Sequence, residues 1–427
     1  MTAPVAALPA DTRRFDRALA CAIAVVLSAW YFDGLASDEQ THADEVYWTA
    51  AGWQATQLFF VERDFDHVFW RSSVARHILA RDKKREAAAS RNPKLGMLLL
   101  GGAMHLGGAP EVQWTQYAFA RSTAWNRANG RLPPHATLLA ARVPVALLGV
   151  AGGVLAFAIL RFWLAPGWAF AGALLLAANP LVTLVCRRAM LDGPAYVFSL
   201  ASFLALLIAV RPESRERFAP AVGLGLALSA AVGCKLNAGV LVPVVVIVFA
   251  IEAWRRRSPA PVLRLAVVGL VALVPFVALN PTLYGAPVQG LRDMFRLGGE
   301  LGDLPLLFPR DALPDFPSRT SAAASILLGE FGMLRSTVGI PGEALFALTG
   351  LAAFAWHARG DSAARVLLIW WVVATIAVCT WPSVRWNRYF LPGLAPLVLV
   401  EFAGLVIFGR ALALRARLAR ASDGAAA

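Results

Sequence analysis

Long apolar runs fill most of the chain, and polar residues gather between them. Apolar stretches occupy residues 18–35, 137–160, 167–186, 193–210, 219–234, 237–252, 265–284, 342–357, 365–381 and 389–409. A bilayer core about 30 Å thick takes about 20 apolar helical residues to cross, so the pattern predicts roughly ten transmembrane helices. One further apolar stretch, 93–109, is about 17 residues long, at or below the length needed to span. It carries glycine at 96, 101, 102, 107 and 108.

The connectors test this count. With the N-terminus inside, the inward connectors carry Arg161, then Arg211, Arg215 and Arg217, then Arg255, Arg256, Arg257 and Arg264, then Arg359 and Arg365. The tail adds Arg410, Arg415, Arg417 and Arg420. All face the cytoplasm, as the positive-inside rule requires. Were 93–109 to cross, every later cluster would face outward, so that stretch is expected to be re-entrant or interfacial. The chain then divides into a cytoplasmic tail (1–17), a first transmembrane helix (18–35), an outward loop (36–136), helices two to seven (137–284), a second outward loop (285–341), three last helices (342–409) and a cytoplasmic tail (410–427). Residues 18–35 resemble a leader peptide, but no small-x-small cleavage site ends them, so they read as an uncleaved span. In the first loop, Trp53, Leu58, Phe59, Phe60, Phe65, Val68, Phe69 and Trp70 lie among charges, a pattern of helices lying in the interface.

Composition sharpens the class. Only 16% of the 427 residues are charged and 58% are hydrophobic, and the mean hydropathy is +0.59. A soluble domain carries about a quarter charged residues. This is an all-α polytopic membrane protein. The net charge of +13 would suggest nucleic acid in a soluble protein. Here it sits mostly in short inter-helix clusters and reads as topological charge, so no nucleic-acid partner is expected. Cys21, Cys186, Cys234 and Cys379 show no paired spacing, and a disulfide is left open. His42, His67 and His77 lack metal-ligand spacing and read as loop histidines. No phosphate-binding loop, dinucleotide fingerprint or zinc signature is present.

Ionisable residues near membrane depth are costly and therefore point to function. In this topology they meet at the outer face. Asp38, Glu39, Asp44 and Glu45 follow the first span; Arg187, Arg188 and Asp192 lie between the third and fourth; Lys235 lies between the fifth and sixth; Arg385, Arg388 and Tyr389 precede the last. A carboxylate there takes a proton from an incoming hydroxyl or amine, and Arg and Lys hold a phosphate. A phosphate whose charge is neutralised leaves readily, so one base and several cations suffice for group transfer from a lipid phosphate. Plainer roles compete: Asp38 and Glu39 as solvated charges, Arg187 or Arg188 as an anchor at a span end, Asp192 as a helix N-cap, and Lys235 as a snorkelling anchor.

Together these residues resemble a family, the GT-C integral-membrane glycosyltransferases of the protein O-mannosyltransferase and aminoarabinose-transferase group. The likeness starts at Asp44-Glu45-Val46-Tyr47 and continues through Asn92-Pro93-Lys94-Leu95-Gly96 and Ala141-Arg142-Val143-Pro144. Arg188-Ala189-Met190-Leu191-Asp192-Gly193-Pro194, Gly233-Cys234-Lys235-Leu236-Asn237-Ala238-Gly239 and Arg388-Tyr389-Phe390-Leu391-Pro392 complete it. It implies a GT-C-type fold and inverting transfer of a sugar from a polyprenyl-phosphate donor to a lipid, glycan or protein acceptor outside the cytoplasm. It also implies that Asp44, Glu45 and Asp192 are the acidic catalytic positions. Arg188, Lys235, Arg388 and Lys94 would hold the donor phosphate, and Tyr47, Asn92, Arg142 and Tyr389 would line the pocket. Asn92 stands in place of the family's His, Lys94 in place of its second Pro, and Met97 where many mannosyltransferases carry Lys. The short chain is expected not to be an oligosaccharyltransferase, whose family usually adds a large soluble C-terminal domain. The sequence specifies no cofactor and leaves a divalent cation open. The Ala/Arg-rich composition suggests a bacterial plasma membrane. Two rivals remain: a transporter or flippase for a lipid-linked or anionic substrate, and a non-catalytic partner subunit. Transporters tend to show internal repeats and mid-bilayer charges, and neither is visible here.

Overall fold

The structure, a computed structural model, describes residues 10–37, 41–67, 69–70, 92–115, 117–119, 121–214, 217–300, 304–339 and 342–426. Asp38, Glu39, Val68, His77, Arg215 and the basic run 81–91 lie outside the described residues. The described chain is helical, and its only β-type pairing is an isolated antiparallel bridge between Ala312 and Val384.

All ten expected segments are helical. The first is α1 (Ala10–Phe32), and the first loop holds α2 (Ala43–Thr56), α3 (Leu95–Leu106) and α4 (Thr123–Ala128). The middle set is α5 (His135–Leu160), α6 (Pro166–Ala178), α7 (Pro180–Cys186), α8 (Asp192–Ala209), α9 (Ala219–Cys234), α10 (Leu241–Arg256) and α11 (Ala260–Ala278). The second loop holds α12 (Pro287–Glu300) and α13 (Phe316–Ala324), and the chain closes with α14 (Glu343–His357), α15 (Ser362–Thr380) and α16 (Leu391–Ala426). Among the described residues, seven helical stretches are long and apolar enough to cross a membrane, and eight if one bent pair counts as a span. This places the protein in a membrane. The stretches 219–234 and 342–357 form helices of only 16 and 15 residues, about 24 and 22 Å long.

The bent pair corrects one expectation. Residues 167–186 form two helices, α6 and α7, meeting at 66°. Pro180 opens α7 and has no backbone N–H to continue α6. Asn179, between them, caps the new helix by accepting from Leu181 N at 3.0 Å, and its amide donates to Phe331 O at 2.8 Å. The break re-aims the chain so that Arg187 and Arg188 follow directly on the end of α7.

The expected interfacial stretch 93–109 is the 12-residue helix α3, about 18 Å long and too short to cross. It packs against α2 at a glycine crossing. A Cβ on Gly101 would lie 2.0 Å from the Gly52 carbonyl oxygen, and one on Gly52 would lie 2.9 Å from that of Met97. Only hydrogen at both positions lets the backbones approach this closely. Farther out, Phe60, Val61 and Phe65 are exposed, while Phe69 and Trp70 are buried.

The two ends of the bundle differ in chemistry. At the far end of α5, Arg161 pairs with Asp16 at 2.9 Å, and the Arg211 guanidinium lies 4.1 Å from the Phe162 ring centroid. Arg264 donates to Ala209 O, and Arg365 reaches Glu252 at 3.3 Å. The expected inward connectors thus gather at one end. At the opposite end of the same 26-residue helix, Arg142 enters the site.

Candidate active site

Glu45 anchors the site. Its carboxylate is fully buried and accepts from Arg142 Nε at 2.8 Å, Arg142 Nη2 at 2.9 Å, Ala189 N at 2.8 Å and His42 N at 2.9 Å. Arg142, itself 1% exposed, also donates to the carbonyls of Leu35 and Ser37 and to Thr41 Oγ1. One ion pair therefore joins the end of α1, the start of α2, the second turn of α5 and the loop between α7 and α8. A buried pair offsets its desolvation only when its remaining donors and acceptors are satisfied, and here they are. Glu45, expected as a catalytic group, and Arg142, expected to line the pocket, are engaged with each other.

The anchor leaves Asp44 at the first turn of α2, one position away on the helix. It is the open carboxylate of the three, with a side chain 29% exposed against 0% for Glu45 and 1% for Asp192. Arg388 Nη1 lies 2.7 Å from Asp44 Oδ2. A second pair forms beside it, with Lys235 Nζ 2.5 Å from Asp192 Oδ1. Tyr389 links the two pairs: its ring centroid lies 5.6 Å from Lys235 Nζ and 5.5 Å from the Arg388 guanidinium. Four separated loops thus converge, as the sequence topology anticipates.

Asp192 opens α8 as its first residue but makes no side-chain cap, which removes the plain N-cap explanation. Its second oxygen, Oδ2, is buried without a hydrogen-bond partner among the described residues. Arg187 likewise has Nε and Nη2 buried and unpartnered among them. Burial depresses the Arg188 guanidinium below its ordinary range, Glu45 works against that, and Arg142 and Arg187 add to it. Such a cation gains from an incoming anion. Three carboxylates (Asp44, Glu45, Asp192) face five cations (Arg142, Arg187, Arg188, Lys235, Arg388), so the cluster is short of negative charge.

The remaining expected residues lie around this cluster. Tyr47, one turn from Asp44 on α2, packs edge-on against Trp48 at 4.5 Å and Trp114 at 5.5 Å. Lys94 is fully buried; its ammonium donates to the Asn92 carbonyl and lies 5.9 Å from the ring centroids of both Phe69 and Trp70. Its backbone N–H donates to Asn280 Oδ1 at 3.0 Å, tying the first loop to the end of α11. Burial pulls the Lys94 ammonium down to about 7. Met97 is buried in the apolar cluster beneath α2. Among the described residues, no three His, Cys, Asp or Glu side chains converge as a metal site. Asp44 and Asp192 each hold a cation through one carboxylate oxygen.

Two residues of this cluster lie outside the set that the resemblance implies. Arg187 is masked in the sequence by its neighbour Arg188, since either suits the end of a span. His42 reads as an ordinary loop histidine, yet it caps α2: Nδ1 accepts from Asp44 N at 3.1 Å. Its one signal is Glu45 three positions on, the spacing of a capping box, although His is not a usual capping residue.

Solved structures resemble this chain to differing extents. ArnT from Cupriavidus metallidurans bound to undecaprenyl phosphate matches over 95% of this chain and 63% of its own, with TM-score 0.55 and 16% identity. The oligosaccharyltransferase of Archaeoglobus fulgidus in its apo form matches over 95% and 52%, with TM-score 0.55 and 13% identity. The protein O-mannosyltransferase complex of S. cerevisiae bound to the sugar donor matches over 65% and 34%, with TM-score 0.44 and 19% identity. The chain therefore spans between about a third and two thirds of the length of these solved chains. No curated protein matches the sequence. The fold is that of the GT-C integral-membrane glycosyltransferases. A sequence model described as dolichyl-phosphate-mannose-protein mannosyltransferase matches residues 81–285, just under half of the chain. The likeness read from the motifs is borne out at the level of this family model and of the GT-C fold.

Proposed function

We propose that this protein is a glycosyltransferase that moves a sugar from a polyprenyl-phosphate donor to an acceptor on the outer side of a membrane. The observation that carries the reading is the pairing of Asp44 with Arg388 beside that of Asp192 with Lys235. It sets one open carboxylate against a surplus of cations, in a fold shared with an enzyme solved with undecaprenyl phosphate.

In this reading the phosphate of the donor sits among Arg187, Arg188, Lys235 and Arg388. An acceptor hydroxyl attacks the anomeric carbon from the face opposite the phosphate. The bond from that carbon to the phosphate oxygen breaks with inversion, and the hydroxyl proton passes to Asp44. The charge that develops on the departing polyprenyl phosphate meets donors already in place, so little reorganisation is needed. Asp192 orients Lys235, while Glu45 and Arg142 hold the start of α2 and so position Asp44. Tyr47 and Tyr389 border the sugar. Lys94 supports the loop through its own turn. The acceptor is a lipid, glycan or protein. Both termini are cytoplasmic, the loops 36–136 and 285–341 face outward, and the membrane is a bacterial plasma membrane.

The test is a panel of radiolabelled polyprenyl-phosphate sugars presented to purified protein in detergent, with release of free polyprenyl phosphate as readout. Turnover of one sugar supports the reading and names the donor. Saturable lipid binding with no turnover of any sugar moves the protein to transport or to a partner role.

A further inference from the structure

His42 stands where the first loop turns into α2. Its backbone is extended (φ −98°, ψ 145°), as at a helix N-cap. Its carbonyl accepts from Glu45 N at 3.0 Å, its N–H donates to Glu45 Oε2 at 2.9 Å, and its Nδ1 accepts from Asp44 N at 3.1 Å. Capping is normally the work of Ser, Thr, Asp or Asn, whose oxygens accept at any pH near neutrality. An imidazole accepts at Nδ1 only while that nitrogen carries a lone pair, with the proton on Nε2. The same Nδ1 lies 3.9 Å from Asp44 Oδ1, the oxygen other than the one paired to Arg388.

We propose that His42 is a positioning residue for Asp44 and acts only while its imidazole is neutral, so that protonating it switches the site off. This rests on Asp44 being the working carboxylate. Protonation has two effects in the same direction. Nδ1–H can no longer accept from Asp44 N, so the cap at the first turn of α2 is lost. The new N–H faces Asp44 Oδ1 and draws that carboxylate away from Arg388, while its positive charge makes the carboxylate a poorer base. The charged groups around the ring are Asp44 and Glu45 from α2, Arg388 from the turn before α16 and Arg188 from the loop before α8. The two cations oppose a further positive charge there and the two carboxylates favour it. Burial is the largest influence and holds the imidazole below its ordinary value. The neutral, capping form therefore prevails at neutral pH and is lost as the pH falls through that lowered value.

The experiment compares wild type, His42→Asn and His42→Ala in pH profiles of donor turnover, with thermal unfolding in detergent from pH 5 to 8. Asn caps through its side-chain oxygen and does not titrate in this range. Wild type is expected to lose kcat on the acid side with donor KM little changed. In His42→Asn the acid limb moves down into the carboxylate range, and His42→Ala loses kcat at every pH, because Ala cannot cap α2. The unfolding midpoint of wild type should fall relative to that of His42→Asn between pH 7.5 and 5. An acid limb unchanged in His42→Asn, or midpoints that stay parallel, overturns the inference. The unfolding comparison needs no activity: if no protein turns over any donor, the functional reading fails while the midpoints still decide whether His42 works as a titrating cap.

Discussion

Arg388, in the turn before the last helix, closes on Asp44, at the first turn of the first loop's helix, with 2.7 Å between Nη1 and Oδ2. The pair joins the two ends of the membrane domain at the one carboxylate of the cluster that stays open to an incoming group. Removing the guanidinium should remove a donor that acts on charge in the transition state. Arg388→Ala is expected to lower kcat by about a hundredfold, and Arg388→Lys to recover only part of it, because an ammonium does not reproduce the planar fork. Steady-state kinetics with the matched donor checks this.

Glu45 and Arg142 are predicted to matter for folding before catalysis. Glu45→Gln leaves a buried guanidinium without its counter-charge, a loss of about 3–5 kcal/mol. The thermal midpoint in detergent should drop sharply, together with activity. Asp44→Asn, on the partly open neighbour, should leave the midpoint near wild type. Equal midpoints for the two variants would contradict the division of roles between these adjacent acids.

The crossing of α2 and α3 gives a test away from all charged groups. Gly101→Ala forces a methyl against the Gly52 carbonyl oxygen, and overpacking of this kind costs about 1–3 kcal/mol. Because α2 carries Asp44, kcat should fall as well. Gly102→Ala, with nothing within 4 Å of its added Cβ, is the neutral control. Measured kcat and unfolding midpoints for the two neighbours should diverge.

Lys94 predicts a pH dependence of stability. Burial lowers its ammonium from the ordinary 10.5 to about 7. Between these values the unfolded chain holds a proton that the folded chain has released, so stability rises with pH across that window. Below about 7 both states are protonated, and the folded chain carries the full cost of a buried charge. Lys94→Met should therefore raise the unfolding midpoint most near pH 6, with the gain shrinking toward pH 10. A gain that grows with pH would contradict this.

Much of this fold is legible in the sequence because lipid makes strong demands on it. Apolar length locates the helices, and the alternation of arginine clusters along the connectors is enough to bring Asp44, Asp192, Lys235 and Arg388 to one face of the bundle. The assignments within the cluster are not legible. Asp44 and Glu45 are adjacent carboxylates of similar chemistry, and only the arrival of Arg142 and of the Ala189 N–H distinguishes the anchor from the open acid. The break at Asn179-Pro180 lies inside an apolar run, where hydropathy sees no interruption. Arg187 is hidden by Arg188 beside it, and His42 by the rarity of histidine as a cap.

The central claim is that Asp44 does the chemistry while the cations hold the phosphate, and single-turnover kinetics of Asp44→Asn tests it most directly. With a radiolabelled polyprenyl-phosphate sugar in slight deficit, wild type should release polyprenyl phosphate in one fast phase. Asp44→Asn should bind the donor with a Kd within a few-fold of wild type and release it at least about a hundredfold more slowly. Release at the wild-type rate by Asp44→Asn would contradict the account.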